Sequence, residues 1–276
     1  MADNGLSTGG DREPWPEIDT SAAHAARVYD YWLGGKANFA VDRQAAEQAI
    51  KAMPSIVDAA RANRAFLGRA VRYLTGEAGM RQFLDVGAGI PTQDNVHQVA
   101  QRVAPDTRIV YVDNDPIVLA HAHQLLTTTP EGATAYIYAD LRDPDKILQE
   151  ASQTLDFGRP VALMLLATLQ LLGDADDPYA IVARLVEALP SASYLAISHP
   201  AKDVLADAGG VEAADALNRA TRTGLHLRTR EQVSRFFDGL HMVEPGLVQV
   251  HQWRPDVDEQ DPSTQLSVHC AVARKP

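Results

Sequence analysis

A doubly wound α/β sheet preceded by a helical cap is the fold this sequence predicts, and three observations predict it. The run Phe83-Leu-Asp-Val-Gly-Ala-Gly-Ile-Pro-Thr92 sets an apolar strand, an acid and a glycine turn in succession. After it, short apolar runs alternate with helical periods to the C-terminus, the pattern of a mostly parallel sheet with helices on both faces. Before it, apolar residues recur at helical spacing.

Residues 1–20 mix Gly, Asp, Glu and Pro without periodicity and read as a disordered or loosely docked tail. Residues 21–76 make the cap. A helix runs from Ala22 to Trp32 and is broken by Gly34-Gly35-Lys36; a second runs from Val41 to Ala52 and stops near Pro54. Ile56, Ala60, Leu67, Val71 and Leu74 give a third helix one apolar face. Residues 77–276 make the sheet domain. Its five strands run from Arg81 to Val86, Arg108 to Asp113, Thr134 to Ala139, Val161 to Leu166 and Tyr194 to Ser198. The fourth is apolar throughout, as a strand covered on both faces requires. Helices are expected from Thr92 to Val103, Pro116 to Thr127, Pro144 to Ser152, Asp177 to Leu189, Val211 to Thr223 and Arg230 to Asp238. Pro116 suits a first helical position and Thr229 an N-cap. Leu240 to Gln252 and Ser267 to Ala273 read as a C-terminal antiparallel strand pair.

With 46% hydrophobic and 22% charged residues, the 276-residue chain can bury a large core. Its net charge of -11 argues against a nucleic-acid backbone as partner, since such binding uses cation-dense surfaces. The single cysteine, Cys270, rules out an internal disulfide and suits a reducing cytosol. It lies in the alternation Val268, Cys270, Val272 and reads as a packed strand residue, not a catalytic thiol. No basic segment leads into an apolar stretch at the N-terminus, and the run Val161 to Leu172 is shorter than the roughly 20 residues a membrane span needs. A cytoplasmic location is expected.

In open α/β sheets the ligand lies beyond the carboxyl ends of the strands. Asp85, Gly87, Ala88 and Gly89 follow the first strand, Asp113 and Asn114 end the second, Ala139, Asp140 and Leu141 the third, and Leu166 and Ala167 the fourth. Asp85 would repel a pyrophosphate and attract an ammonium group. Asp113, 24 residues beyond Gly89, suits a ribose diol or caps the helix at Pro116. Asp140 suits an adenine amino group, with the Leu141 N–H at a ring nitrogen, or caps the following helix. A cation, a ribose and an adenine without phosphate describe S-adenosylmethionine. NAD fits less well, because Gly87-Ala-Gly89-Ile-Pro-Thr92 lacks the third glycine of the dinucleotide fingerprint.

At these residues the chain resembles the class I S-adenosylmethionine-dependent methyltransferases. More narrowly, it resembles a bacterial family named S-adenosyl methyltransferase, long treated as a domain of unknown function. The resemblance runs through Ala26-Arg-Val-Tyr-Asp-Tyr-Trp-Leu-Gly-Gly-Lys-Ala-Asn-Phe39, Arg61-Ala-Asn-Arg-Ala-Phe-Leu67, Phe83 to Thr92 and Tyr111 to Pro116. It continues at Ser198-His199, Arg230 to Gly239, Glu244-Pro-Gly246 and Gln252-Trp-Arg-Pro255. It implies a Rossmann-like methyltransferase fold that binds S-adenosylmethionine and leaves S-adenosylhomocysteine. The family is expected to carry Leu-His after the fourth strand, where this chain has Leu169-Gln170; Gln170 can orient a substrate but cannot take a proton.

Other candidates surround that site. The Gly34-Gly35 turn with Lys36 and Asn38 reads as a lid over the methionine end, with Tyr29 or Tyr31 toward the substrate. The competing reading packs these helices on the sheet with Arg27 and Asp30 as a surface pair. Arg64 suits a cofactor carboxylate or an ordinary ion pair. His199, just past the fifth strand, is a candidate general base or a loop-holding histidine before Pro200. His121 and His123 point different ways along a helix, and no His or Cys spacing predicts a metal. The expected reaction is methyl transfer by in-line displacement to a small-molecule acceptor. A non-catalytic sensor of the cofactor or an NAD-dependent oxidoreductase is the rival reading.

Overall fold

The structure, a computed structural model, describes residues 18–121, 127–205, 210–221, 224–256 and 266–276. Its frame is one sheet in the order β3-β2-β1-β4-β5-β8-β6, with β7 also on β8. The strands are β1 (Gln82–Val86), β2 (Arg108–Asp113), β3 (Ala133–Tyr138), β4 (Ala162–Leu166), β5 (Tyr194–Pro200), β6 (His241–Met242), β7 (Val248–Gln249) and β8 (Val268–Arg274). β1 to β5 pair in parallel. β8 runs antiparallel to β5, β6 and β7. Strand order reverses between β2-β1 and β4, so the crevice of such a sheet opens at the carboxyl ends of β1 and β4.

The helices are α1 (Ala25–Trp32), α2 (Ala40–Ala52), α3 (Ile56–Gly76), α4 (Val96–Val103), α5 (Pro116–Ala120), α6 (Pro144–Ala151), α7 (Pro178–Glu187), α8 (Lys202–Leu205), α9 (Gly210–Ala220) and α10 (Arg230–Ser234). One sheet face packs on α6, α7 and the turn after α10 through Ile147, Leu185 and Phe236. The other packs on α3 and α4 through Phe66, Leu74 and Ala100. Thus α3 belongs to the sheet core, while α1 and α2 pack with α9 through Val28, Ala46, Ala213 and Leu217. The roof of the sheet therefore joins the start of the chain to a segment between β5 and β6. Buried Arg69 ties α3 to the C-terminal region by donating to the carbonyls of Trp253 (2.9 Å) and Val250 (2.6 Å).

Several expected elements differ: the first helix starts at Ala25, and the helix expected from Arg230 to Asp238 ends at Ser234 and passes into a 3-10 turn, Arg235–Phe237. The helix expected from Thr92 begins at Val96. Asn95 closes a local turn, accepting from Thr92 N–H at 3.2 Å and donating to its carbonyl at 2.9 Å, and takes the N-cap place with its own N–H on Gln98 Oε1 at 2.9 Å. The strand expected from Leu240 to Gln252 splits into β6, a turn, β7 and a 3-10 turn at Val250–Gln252. Pro245 cannot donate to a ladder, and Gly246 takes a φ of 84°. Thr229 does cap α10, accepting from Gln232 N–H at 3.2 Å. His123 and Thr223, the stretch of the helix expected to Thr127 that covers 122–126, and most of the N-terminal tail lie outside the described residues. No helix among the described residues is long and apolar enough to cross a membrane.

Candidate functional site

The turn that leaves β1 is built against β2. The N–H groups of Gly87 and Ala88 both donate to the Val112 carbonyl, at 2.8 and 3.1 Å. Gly87 and Gly89 adopt φ of 80° and 66°, a region glycine enters without steric cost. A Cβ on Gly87 would fall on the Thr168 hydroxyl, whereas a Cβ on Gly89 would meet open space. Asp113 completes the turn: one carboxylate oxygen accepts from Gly89 N–H at 2.7 Å and the other from Asp115 N–H at 2.9 Å. A carboxylate has about four acceptor positions, so two remain for hydroxyls of a ligand. Burial pushes the Asp113 pKa up against those two N–H donors.

A cavity of about 250 Å³ opens beside this turn. It is lined by Asp85, Gly87, Ala88, Gly89, Asp113, Asn114, Ala139, Asp140, Leu141, Leu166 and Ala167 from the ends of four strands, and by Tyr29, Arg64 and Gln170. Residues that are distant in sequence thus line one space.

Asp85 is buried. Burial and the neighbouring Asp113 push its pKa up to about 7, and Arg64 holds it down from going further. A cationic group beside this buried carboxylate would favour its ionised form. Arg64 donates to the carbonyls of Gln93 (3.0 Å) and Asp94 (3.2 Å), which hold it over the turn. Asp140 accepts from Asn114 Nδ2 at 2.9 Å and from Arg142 N–H at 2.8 Å, and the Arg142 guanidinium also reaches Asp176 at 2.8 Å. Asp140 is therefore partly committed to its own network. Asp143, not Asp140, caps α6, accepting from Lys146 N–H at 3.1 Å.

The chain leaves β4 through Ala167 at a φ of 52°, a conformation costly for any residue with a Cβ. Its N–H donates to Ser198 Oγ at 2.9 Å, which helps hold the bend. The bend turns Thr168 and Gln170 toward the cavity. Buried Arg228 fixes the following turn by donating to the carbonyls of Leu169 (3.0 Å) and Leu172 (2.9 Å).

Several expected residues lie elsewhere. His199 is fully buried and does not line the cavity. Its Nδ1 is 2.9 Å from the Pro200 carbonyl and its Nε2 is 3.1 Å from an Arg228 nitrogen. With Nε2 accepting from a guanidinium, Nδ1 carries the proton. Burial, with Arg228 and His269 nearby, lowers its pKa to about 3 against the carbonyl that supports its protonation. His199 holds the loop before Pro200, with both ring nitrogens engaged and away from the cavity. Tyr31 bonds Glu47, Lys36 is exposed, and Asn38 donates to the Asp30 carboxylate at 2.8 Å; none of the three lines the cavity. Nor are Arg27 and Asp30 a surface pair. Both are buried, Arg27 between Asp42 (3.6 Å) and Asp115 (3.8 Å), Asp30 on the Ala37 N–H (3.0 Å). Tyr29 lines the cavity, but its hydroxyl donates to the Ala60 carbonyl at 3.0 Å and accepts from Asn63 at 2.9 Å. Burial raises its pKa.

Four cavity residues carried no sequence signal strong enough to single them out: His24, Asn63, Thr168 and Arg142. His24 lies 2.7 Å from Asp115 and ties α1 to the end of β2. Burial raises the Asp115 pKa, but His24, the Ile117 N–H and Arg27 together bring it below its usual value. Cys270 is fully buried in β8, where burial pushes its thiol well up. Among the described residues, no group of three or more His, Cys, Asp or Glu side chains is placed to hold a metal ion.

Residues 11–276 match the S-adenosyl methyltransferase family. A DUF574 family protein from Streptomyces avermitilis MA-4680 is 47% identical, over 94% of this chain and 100% of that one, with a TM-score of 0.91. A protein from Thermobifida fusca YX is 40% identical over 94% and 97%, with a TM-score of 0.86. The plantazolicin methyltransferase BamL, solved with S-adenosylhomocysteine, is 14% identical over 91% and 96% with a TM-score of 0.51, a likeness of fold alone. No curated protein matches the chain significantly.

Proposed function

The chain belongs to the S-adenosyl methyltransferase family and is a methyltransferase whose donor is S-adenosylmethionine, and from that premise we propose that it methylates a small-molecule acceptor inside the cavity at the strand ends. One observation carries the reading: Asp85, Asp113 and Asp140, from three consecutive strand ends, line the same space as the Gly87-Ala88-Gly89 turn. The residues fit the donor. Among the described residues no hydrogen bond reaches the buried Asp85 carboxylate, so an ammonium group would be its partner. Asp113 retains two acceptor positions for a ribose diol. Asp140 and Leu141 line the same cavity, which supports the adenine reading, and Arg64 lines it and acts on Asp85, which supports a role for Arg64 at the donor's carboxylate.

When bound, S-adenosylmethionine supplies a methyl group on a sulfonium, which passes to the acceptor by in-line displacement. The protein's part is to orient and to exclude water. Orientation can be worth roughly 7–11 kcal/mol of the barrier. Helices α1 and α9 cover part of the cavity and leave it open to water on one side. The roof, its His24 link to β2 and the Tyr29 face support the lid reading. The absence of a long apolar helix among the described residues and the buried free thiol support a cytoplasmic enzyme, and the identity to the Streptomyces and Thermobifida proteins supports a bacterial one.

Calorimetric titration with S-adenosylmethionine, S-adenosylhomocysteine and NAD tests the site. Binding of the first two and not the third is the expected result. Affinity for NAD without affinity for the sulfonium would overturn it.

A further inference from the structure

The cavity continues from the strand ends into a chamber beneath α1 and α9. Its walls there are Trp32, Leu33, Met53, Ala213, Leu217 and Leu225. None is charged. The nearest acid on α1, Asp30, is only 4% exposed and is occupied by the Ala37 N–H and the Asn38 amide. A charged group in this chamber would lose its hydration without gaining a partner.

Two side-chain oxygens in the cavity wall have no partner, Gln170 Oε1 and Asn63 Oδ1. Gln170 is 7% exposed and Asn63 5%. The Gln170 amide cannot be turned over, because its Nε2 must donate to the Ala167 carbonyl, 2.6 Å away. Asn63 Nδ2 donates to the Tyr29 hydroxyl, which in turn donates to the Ala60 carbonyl. In each case an acceptor is left over, and a buried acceptor without a donor is costly. Asn63 adjoins Arg64 on α3 and belongs with Asp85 at the donor's end. Gln170 follows β4, on the turn that Arg228 clamps, and its carbonyl accepts the His226 N–H at 2.7 Å, which sets it beside Leu225 of the chamber wall.

We infer that the methyl acceptor is an uncharged, mainly apolar small molecule whose reacting O–H or N–H is received by Gln170 Oε1. This rests on the reading of the cavity as a methyltransferase site. The acceptor's lone pair forms the new bond to carbon, the carbon–sulfur pair stays on sulfur, and the proton leaves for water. Gln170 orients that proton but does not take it. Such a site favours acceptors that give up their proton without a strong base.

Naphthol, naphthalene and naphthoate, titrated into protein loaded with S-adenosylhomocysteine, test this. Naphthol should bind about tenfold more tightly than naphthalene and more tightly than anionic naphthoate. Gln170→Met should abolish the preference for naphthol over naphthalene. Leu217→Trp should block all three probes by filling the chamber, and it tests the chamber should Gln170→Met not fold. Equal binding of naphthol and naphthalene, a preference for naphthoate, no binding of any probe, a preference that survives Gln170→Met, or probe binding that survives Leu217→Trp would each overturn the inference. The accompanying titration of S-adenosylhomocysteine separates the two readings. If it fails to bind, the methyltransferase site itself is wrong; if it binds without naphthol selectivity, only the acceptor class is.

Discussion

The Asp113 carboxylate accepts the backbone N–H of Gly89 at 2.7 Å, across 24 residues of chain. One side chain thereby sets the shape of the turn after β1 and keeps two acceptor positions, which the proposed site gives to the donor's ribose. Asp113→Ala removes both roles. Affinity for S-adenosylmethionine should fall by roughly ten- to a hundredfold, as expected for losing two hydrogen bonds to a charged group. Calorimetry reads this directly, and an unchanged isotherm would remove Asp113 from the ribose site.

Asp85 makes binding depend on pH. An ammonium group favours the ionised carboxylate, so donor binding releases a proton below pH 7. Affinity should rise by about tenfold per pH unit up to about 7 and then level. In the free protein the sign is opposite. The folded pKa lies above the unfolded value of 3.8, so Asp85 contributes stability below that value and loses it as pH rises toward about 7. Asp85→Asn should flatten both curves. A pH-independent affinity in the native protein would contradict the placement of the ammonium.

The two glycines of the turn should separate folding from binding. Gly87→Ala forces a Cβ onto Thr168 and holds alanine at a φ of 80°. It should cost more than about 2 kcal/mol in urea unfolding. Gly89→Ala carries only the backbone cost of about 1–2 kcal/mol, since open space surrounds the new methyl. The proposed site gives that space to the donor, so Gly89→Ala should lower donor affinity more than stability.

Arg228 is a structural arginine. It is buried, and its loss strands the Leu169 and Leu172 carbonyls and His199 Nε2. Arg228→Met should cost about 2–4 kcal/mol in urea unfolding. His199→Asn should leave the affinity for S-adenosylhomocysteine within about twofold, because His199 does not line the cavity. A large loss there would return His199 to the site.

The strand ends were legible because local chemistry marks them. An acid after an apolar run and glycines before a turn mean the same thing wherever the sheet places them, and every one of Asp85, Gly87, Gly89, Asp113 and Asp140 lines the cavity. The cap was less legible. Tyr29 and Tyr31 are two apart on α1, yet Tyr29 faces the cavity and Tyr31 bonds Glu47. Only the rotation of α1 against α2 and α9 decides which one faces in. Arg27 and Asp30 read as surface charges because nothing local reveals that Asp42, Asp115 and the Ala37 N–H wait for them.

What the sequence alone determined is the order of strands and helices, the turn after β1 and the chemistry of the donor. These follow from periodicity, glycine conformations and charges within a few residues of each other. Tertiary structure decided the surroundings proposed for the acceptor. The chamber takes its walls from α1 and the loop before α3 and, more than a hundred residues further along the chain, from α9, and a buried amide is left without a partner only by packing.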